Sequence, residues 1–402
     1  MEIKKDLFPL LTKYPNLIYL DSAATSLKPL SVIEKINEYY SEYGVNVNRG
    51  VYDLSQIATD KLEESRTLIA NFINAKDDEI VFSKGTTDSL NQIARMLEDL
   101  VNKDDEIIVS VLDHHSFIIP FQELAKRKKA KLIYVNLTDD FKIDIADLKT
   151  KLNSKTKIVC LTYVSNVIGN IQNVKELVNI IKAFNQNIYT VVDAAQAAPH
   201  IKMDVKDLNC DFLAFSLHKM LGPTGVGILY GKLNLMNSLY PTEFGGDMND
   251  GVQKYESSYK DSPHRYEAGT PNIEGVIASI EAIKLLDEIG MNNVQKHSQK
   301  LAQYAINELE KNPNIVVYNK CSDTGIVTFN IKNIHPHDTA TFLSSKGICV
   351  RAGHHCAQLI TKYLGVFGTV RASFYLYNDM KDVEEFVKQV NNATEYFKEW
   401  GL

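Results

Sequence analysis

The sequence predicts an α/β fold built on a mainly parallel sheet, on three observations. Seven short runs of β-branched and apolar residues recur through its first 231 positions. Between most of them lie longer stretches with apolar residues at helical spacing. After about Ile273 the pattern changes to long helical runs interleaved with a few more short apolar segments. Alternation of buried strands and amphipathic helices is the signature of a parallel sheet covered on both faces. The later pattern reads as a smaller α+β unit.

Taken in order, the runs are EIVFS (Glu79 to Ser83), EIIVSV (Glu106 to Val111), KLIYVN (Lys131 to Asn136), KIVCLTYV (Lys157 to Val164) and IYTVVDAA (Ile188 to Ala195). DFLAFS and GVGILYG, ending at Ser216 and Gly231, complete the seven. VKELVNIIKAF, Val174 to Phe184, is a clear amphipathic helix. IEGVIASIEAIKLLDEIG starts the long helical part at Ile273. GIVTFNI, GICVRAG and TVRASF are the apolar segments of the smaller unit. The expected domains are a large α/β domain over 31–272 and a small domain over 273–402, to which an N-terminal segment, 1–30, is assigned without support from the pattern itself.

Composition excludes several classes of function. At 402 residues, 45% hydrophobic and 23% charged, the chain can bury a substantial core. A net charge of -6 leaves no basic footprint for nucleic acid, and KRKK at Lys126 to Lys129 reads as the solvated end of a helix. The opening MEIKKDLFPLL lacks the continuous apolar core of a secretory signal, and no later run approaches the ~20 apolar residues that span a bilayer. The five cysteines are scattered, with no CxxC pair. The expectation is a cytoplasmic protein with reduced thiols.

Ligands of open α/β sheets bind at the carboxyl ends of strands, so the polar residues placed there carry the functional signal. SKGTTDSLNQIA puts Thr86 and Thr87 at the start of a helix, where free N–H groups suit a phosphate and where a threonine cap is the bland alternative. VLDHHSF places His114 after a second strand, and YVSNVIGN places Asn166 after a third. VVDAAQAAPH ends a fourth at Asp193 and Gln196. An aspartate behind so apolar a run needs a partner, and a cation is expected to face it. AFSLHKMLGPTGVGILYG then sets Ser216, His218 and Lys219 between a strand and a Gly/Pro turn. A buried lysine beside a hydroxyl and an imidazole can hold an aldehyde cofactor as a Schiff base, and with a phosphate cup and an aspartate for a ring nitrogen the set fits pyridoxal 5'-phosphate (PLP).

These motifs, with YLDSAATS, YEAGTPN and RAGHHCAQ, resemble in order and spacing the group II, SUF-type cysteine desulfurases of the class V aminotransferase family, over essentially the whole chain. The resemblance implies a PLP-dependent transferase of fold type I with a seven-stranded sheet. It implies that Lys219 binds the cofactor covalently, Asp193 faces its ring nitrogen, Gln196 its phenolic oxygen, and His114 stacks on the ring and joins the catalytic set. Thr86, Thr87, Ser216 and His218 would hold the phosphate, with Thr270 supplied by the partner of a homodimer. Asn166, Arg371 and Arg351 would bind the substrate, the first two through its carboxylate, Asn166 would also contact the cofactor, and Cys356 would accept sulfur. L-Cysteine would yield L-alanine, and the sulfur would pass to an acceptor protein of the SUF system for iron–sulfur cluster assembly. Selenocysteine lyase and cysteine sulfinate desulfinase are the alternatives on the same fold.

The chain departs from the family pattern at Asn48, Tyr52, Asp113 and Phe117, positions outside the core chemistry that leave details of the dimer interface and the site entrance open. RAGHHCAQ admits a metal site, a structural thiol or a catalytic thiol. Three consecutive ligands converge poorly on a tetrahedral ion, and Cys349 in GICV suits a structural thiol better. A catalytic thiolate near cationic groups fits Cys356; which of His354 and His355 assists it is left open.

Overall fold

The computed structural model describes residues 5–399; residues 1–4 of the N-terminal segment and 400–402 of the small domain lie outside the described residues. The strands, in chain order, are β1 (Ile18–Tyr19), β2 (Ile80–Ser83), β3 (Glu106–Ser110), β4 (Lys131–Val135), β5 (Thr156–Thr162), β6 (Tyr189–Asp193), β7 (Phe212–Ser216) and β8 (Gly227–Gly231). The last seven of these form one sheet in the order β2-β8-β7-β6-β5-β3-β4. β3 through β7 pair in parallel, whereas β8 runs antiparallel to both β7 and β2. The seven apolar runs are these seven strands, within two residues at each end.

The sheet is buried on both faces. One side is filled by residues such as Ile108, Val159, Val192 and Ile228, the other by Val109, Ile158, Val191 and Leu229, all without solvent exposure. This is why the runs carry apolar residues without alternation. The helices Thr86–Met96 and His115–Lys128 pack on the second side.

A hairpin follows, β9 (Asn249–Val252) and β10 (Ser257–Tyr259), then β11 (Ile315–Val317), β12 (Ile326–Ile331), β13 (Ile348–Cys349), β14 (Arg351–Gly353) and β15 (Thr369–Ser373). GICVRAG, a single apolar segment in the sequence, holds two strands. Its first half pairs in parallel with β1, and its second half joins the antiparallel sheet β11-β12-β15-β14. That division carries the N-terminal segment past the sheet edge: Ser373 N–H donates to Leu20 O at 2.7 Å, and Ser26 N–H donates to His218 O at 3.0 Å. Residues 21–28 therefore lie between the two sheets, above the carboxyl ends of β5, β6 and β7.

Candidate active site

The carboxyl ends of β2, β3, β5, β6 and β7 and the sheet β14–β15 enclose a cavity of about 210 Å3. Its walls bring together Thr86, Thr87, His114, Asn166, Asp193, Gln196, Ser216, His218, Lys219, Arg351, Cys356 and Arg371. Thr270 is exposed and outside this wall.

One end is shaped for an anion. Gly85, with φ of 152°, turns the chain from β2 into the helix Thr86–Met96, and a Cβ on Gly227 of β8 would sit 2.3 Å from the Gly85 Cα. The close approach of two glycines sets the helix start against β7. Thr86 N–H donates to Ser216 Oγ at 2.7 Å, and their hydroxyls lie 2.6 Å apart. The other N–H groups of the first helical turn have no intrahelical partner and carry the positive end of the helix dipole. Thr25 Oγ1 and Lys28 Nζ, 3.0 and 2.8 Å away, join Ser26 N–H in donating to the His218 carbonyl. Burial, then the charges of Lys219 and Lys28, pushes the His218 imidazole down to about 4, so it is neutral near pH 7.

The middle of the cavity holds unsatisfied groups. Asp193 closes β6, and its Oδ1 accepts from Ala195 N–H at 2.9 Å. Burial raises its pKa, opposed by that hydrogen bond and by the Lys219 charge. Lys219 makes no hydrogen bond or ion pair among the described residues. Burial, reinforced by Arg371 and Arg351 and opposed by Asp193, pushes its amine down to about 8. Gln196 Nε2 donates to Ala23 O at 2.7 Å, while its Oε1 is buried without a partner. His114 caps the helix that follows β3: its Nδ1 accepts from Ser116 N–H at 3.1 Å, which leaves the ring proton on Nε2. Burial and the Lys219 charge push this imidazole down to about 3.

At the mouth, β14 and β15 set Arg351 directly opposite Arg371. Like charges directly opposite on neighbouring strands are unfavourable, and on the Arg371 side the Asp21 carboxylate offsets part of that repulsion. Arg371 is fully buried; its Nη1 donates to Asn166 O at 3.0 Å, its Nη2 meets Asp21 Oδ1 at 3.1 Å, and its Nε has no partner. Arg351 Nη2 lies 3.7 Å from Cys356 Sγ. His354 Nδ1 pairs with Thr361 Oγ1 and His355 Nε2 with Thr369 Oγ1. Neither histidine hydrogen-bonds to the Cys356 thiol; the nearby cation is Arg351. His355 and Cys356 have φ of 52° and 54°, a conformation that costs L-residues roughly 1–2 kcal/mol each.

Two of the departures from the family pattern lie inside the fold. Asp113 is not at the entrance: it is buried behind the cavity wall, where Oδ1 accepts from Thr162 Oγ1 at 2.8 Å and Oδ2 from Ser110 N–H at 2.8 Å. Burial, with a smaller contribution from Asp193, pushes it up to about 7. Phe117 is a core residue packed edge-on against Phe121. Phe117 lies on the inward face of the helix His115–Lys128, and Asp113 sits two residues before that helix begins. Asn48 and Tyr52 lie away from the cavity. Sequence reasoning missed Asp21, Ala23 and Thr162, which only the chain crossing between the sheets, and the pairing of β5 with β6, bring to the site.

These residues fit PLP on structural grounds: an amine at the cavity wall with no hydrogen-bond partner, a buried carboxylate whose nearby cation is that amine, an orphaned amide oxygen and a helix start with paired hydroxyls. Among the described residues no group of three or more His, Cys, Asp or Glu is placed to hold a metal, and no helix is long and apolar enough to cross a membrane. The chain is 47% identical to a probable cysteine desulfurase of Halalkalibacterium halodurans over 98% of each chain. Its structure is similar to the cysteine desulfurase CsdA (S-sulfonic acid) of Escherichia coli, with a TM-score of 0.91 at 36% identity over 97% of each chain. It is also similar to the apo cysteine desulfurase of Thermococcus onnurineus, with a TM-score of 0.93 at 39% identity, covering 100% of this chain and 99% of that one. The profile described as Aminotransferase class-V matches residues 18–386, and with the site and fold above it places the chain in the class-V aminotransferase family.

Proposed function

We propose that the protein is a PLP-dependent cysteine desulfurase converting L-cysteine to L-alanine while Cys356 takes the sulfur as a persulfide. The observation that carries this is that a lysine amine and a cysteine thiol line one 210 Å3 cavity, the thiol 3.7 Å from a guanidinium. Thr86, Thr87, Ser216 and His218 would hold the cofactor phosphate, Asp193 its ring nitrogen, Gln196 its phenolic oxygen, His114 its ring face and Lys219 its aldehyde carbon. Bound there, PLP supplies an electron sink for the carbanion left when the substrate loses its α-proton.

Arg371, with Arg351 and Asn166 beside it, binds the substrate carboxylate and turns the α-carbon toward Lys219. Asn166 commits one amide N–H to the carbonyl of His355 at 2.8 Å, so it links the substrate end to the cysteine loop. Lys219 takes the α-proton. The Cys356 thiolate, held near Arg351, attacks the substrate sulfur. A sulfur–sulfur bond forms, the carbon–sulfur bond breaks, and its electron pair remains with carbon, which is protonated to give alanine. L-Cysteine and one enzyme thiol thus become L-alanine and one enzyme persulfide.

Cys356 also borders an outer groove of about 610 Å3, an approach for an accepting thiol. A protein acceptor of the SUF system, feeding iron–sulfur cluster assembly from the cytoplasm, fits this arrangement, and the 15 residues from Cys356 to Arg371 fit the short loop of the group II enzymes. Incubation of the holoenzyme with L-cysteine, L-selenocysteine or cysteine sulfinate, with a reducing thiol, tests the reading. Equimolar alanine and sulfide from L-cysteine is the expected result. Turnover of cysteine sulfinate or selenocysteine alone would replace it with a desulfinase or a selenocysteine lyase.

Two further predictions arise from the site. An amine attacks an aldehyde only when neutral, and at pH 7 a lysine titrating near 8 is neutral in about one molecule in ten. Covalent attachment of PLP to the apo-protein should therefore accelerate about tenfold per pH unit below 8 and level off above it. Stopped-flow absorbance across pH 6 to 10 checks this; a rate still climbing at pH 10 would show an unperturbed amine.

The second concerns assembly. Thr270 is exposed, and Val51, Tyr52, Leu54 and Ile57 expose apolar surface around the start of the helix Asp53–Phe72. A homodimer in which Thr270 completes the neighbouring phosphate cup accounts for both, and obligate interfaces commonly bury ~2,000 Å2 or more. Sedimentation should find a dimer at assay concentrations; a fully active monomer overturns it.

A further inference from the structure

The Cys356 loop places two consecutive non-glycine residues in the left-handed region, a turn that persists only when its surroundings over-determine it. Three hydrogen bonds from outside the loop reach its backbone. Asn166 Nδ2 donates to His355 O at 2.8 Å. His115 N–H donates to Cys356 O at 2.8 Å. The His115 ring closes the grip from the other side: Gln358 N–H donates to its Nε2 at 3.2 Å.

His115 suits this task because of where it stands. It is the first residue of the helix His115–Lys128, so its N–H has no intrahelical partner and is free to bind Cys356 O. Gln358 is likewise the first residue of the helix Gln358–Tyr363, and the preceding residue, Ala357, has no side chain with which to cap it. The imidazole supplies the missing acceptor across the fold. A backbone N–H can only donate, so Nε2 must be unprotonated. Burial and the nearby His354 lower the pKa of His115, which favours that neutral form.

We propose that His115 is a positioning residue for the sulfur-transfer step: its ring fixes the strained turn so that the Cys356 thiol stays beside Arg351 at the cavity mouth. It acts through the loop: His115 borders the outer groove and is absent from the cavity wall, which the neighbouring His114 lines. The proposal rests on the reading of Cys356 as the sulfur acceptor.

The test uses holoenzyme carrying His115→Phe, which keeps a ring but no acceptor, and His115→Gln, which restores an accepting oxygen. In His115→Phe, kcat for alanine release from L-cysteine should fall roughly tenfold or more, the effect of a misplaced reacting group. KM and the rate of α-proton exchange with deuterated solvent should stay within about twofold of wild type, because Lys219 and Arg371 are untouched. His115→Gln should recover most of the lost kcat. Wild-type alanine release from His115→Phe, a parallel loss of exchange and release, or a glutamine variant no better than phenylalanine would each overturn the assignment. Cys356→Ala run alongside separates the two levels: alanine release by that variant defeats the underlying function, whatever His115 does.

Discussion

Lys219→Ala is expected to reduce alanine release from L-cysteine by at least about 10^4-fold and to leave PLP removable by dialysis. The size of the effect follows from two roles falling on one amine. Lys219 is the only described lysine whose side chain reaches this cavity, and the group opposite it, Asp193, is a carboxylate that cannot replace it as a nucleophile toward an aldehyde. Removing the amine also leaves Asp193 buried without the positive charge that offsets its desolvation. The thermal midpoint of the apo-variant is a useful control. Loss of turnover with a near-native melting transition assigns the effect to chemistry, whereas unfolding would leave the melt as the explanation. Borohydride treatment supplies the decisive comparison: wild type should fix PLP irreversibly to a peptide containing Lys219, and the variant should fix none. Covalent PLP in Lys219→Ala would mean that another amine serves, and the site assignment would fall.

How far the sequence reaches depends on whether a residue's role is local. The seven strands are legible because burial on both faces demands unbroken apolar runs, and the residues just beyond Ser83, Ser110, Thr162, Asp193 and Ser216 stand out as polar groups placed where a sheet presents its ligands. The antiparallel course of β8 is legible only through the shortness of its connection: GVGILYG would pack equally well in either direction, but the segment between Ser216 and Gly227 is too short for the crossover a parallel neighbour needs. Register leaves no such trace. Arg351 and Arg371 are twenty positions apart, and nothing in either motif says that they face one another across β14 and β15.

The N-terminal segment is the larger omission. Asp21 reaches the buried Arg371, Ala23 receives the Gln196 amide, and Thr25, Ser26 and Lys28 grip the His218 carbonyl. Each is a contact over more than 170 positions of sequence that ordinary helix and strand periodicity does not encode. Asp113 shows the converse error. A polar residue in a strand-end loop looks solvent-directed, yet the helix that starts at His115 turns it inward, and Thr162 and Ser110 satisfy its carboxylate.

Cys356→Ala should separate the thiol's task from the lysine's. With Lys219, Asp193 and Arg371 intact, the variant should bind L-cysteine and exchange its α-proton with deuterated solvent at close to the wild-type rate. Alanine release should drop by three orders of magnitude or more, on the order of the loss when an essential nucleophile is removed. The carbon–sulfur bond has no attacking atom to receive its sulfur, and Cys160, Cys210, Cys321 and Cys349 lie outside the cavity wall. L-Selenocysteine should suffer less, because selenium leaves carbon more readily without a protein nucleophile. A structural cysteine predicts a different pattern: both substrates and proton exchange would fall together with the melting temperature. Arg351→Gln adds an internal check, since it withdraws the cation 3.7 Å from Sγ while keeping the thiol. It should slow sulfur transfer, because the attacking sulfur loses the guanidinium that holds it in place. Normal alanine release from L-cysteine by Cys356→Ala would refute the persulfide route even if every other part of the site behaved as expected.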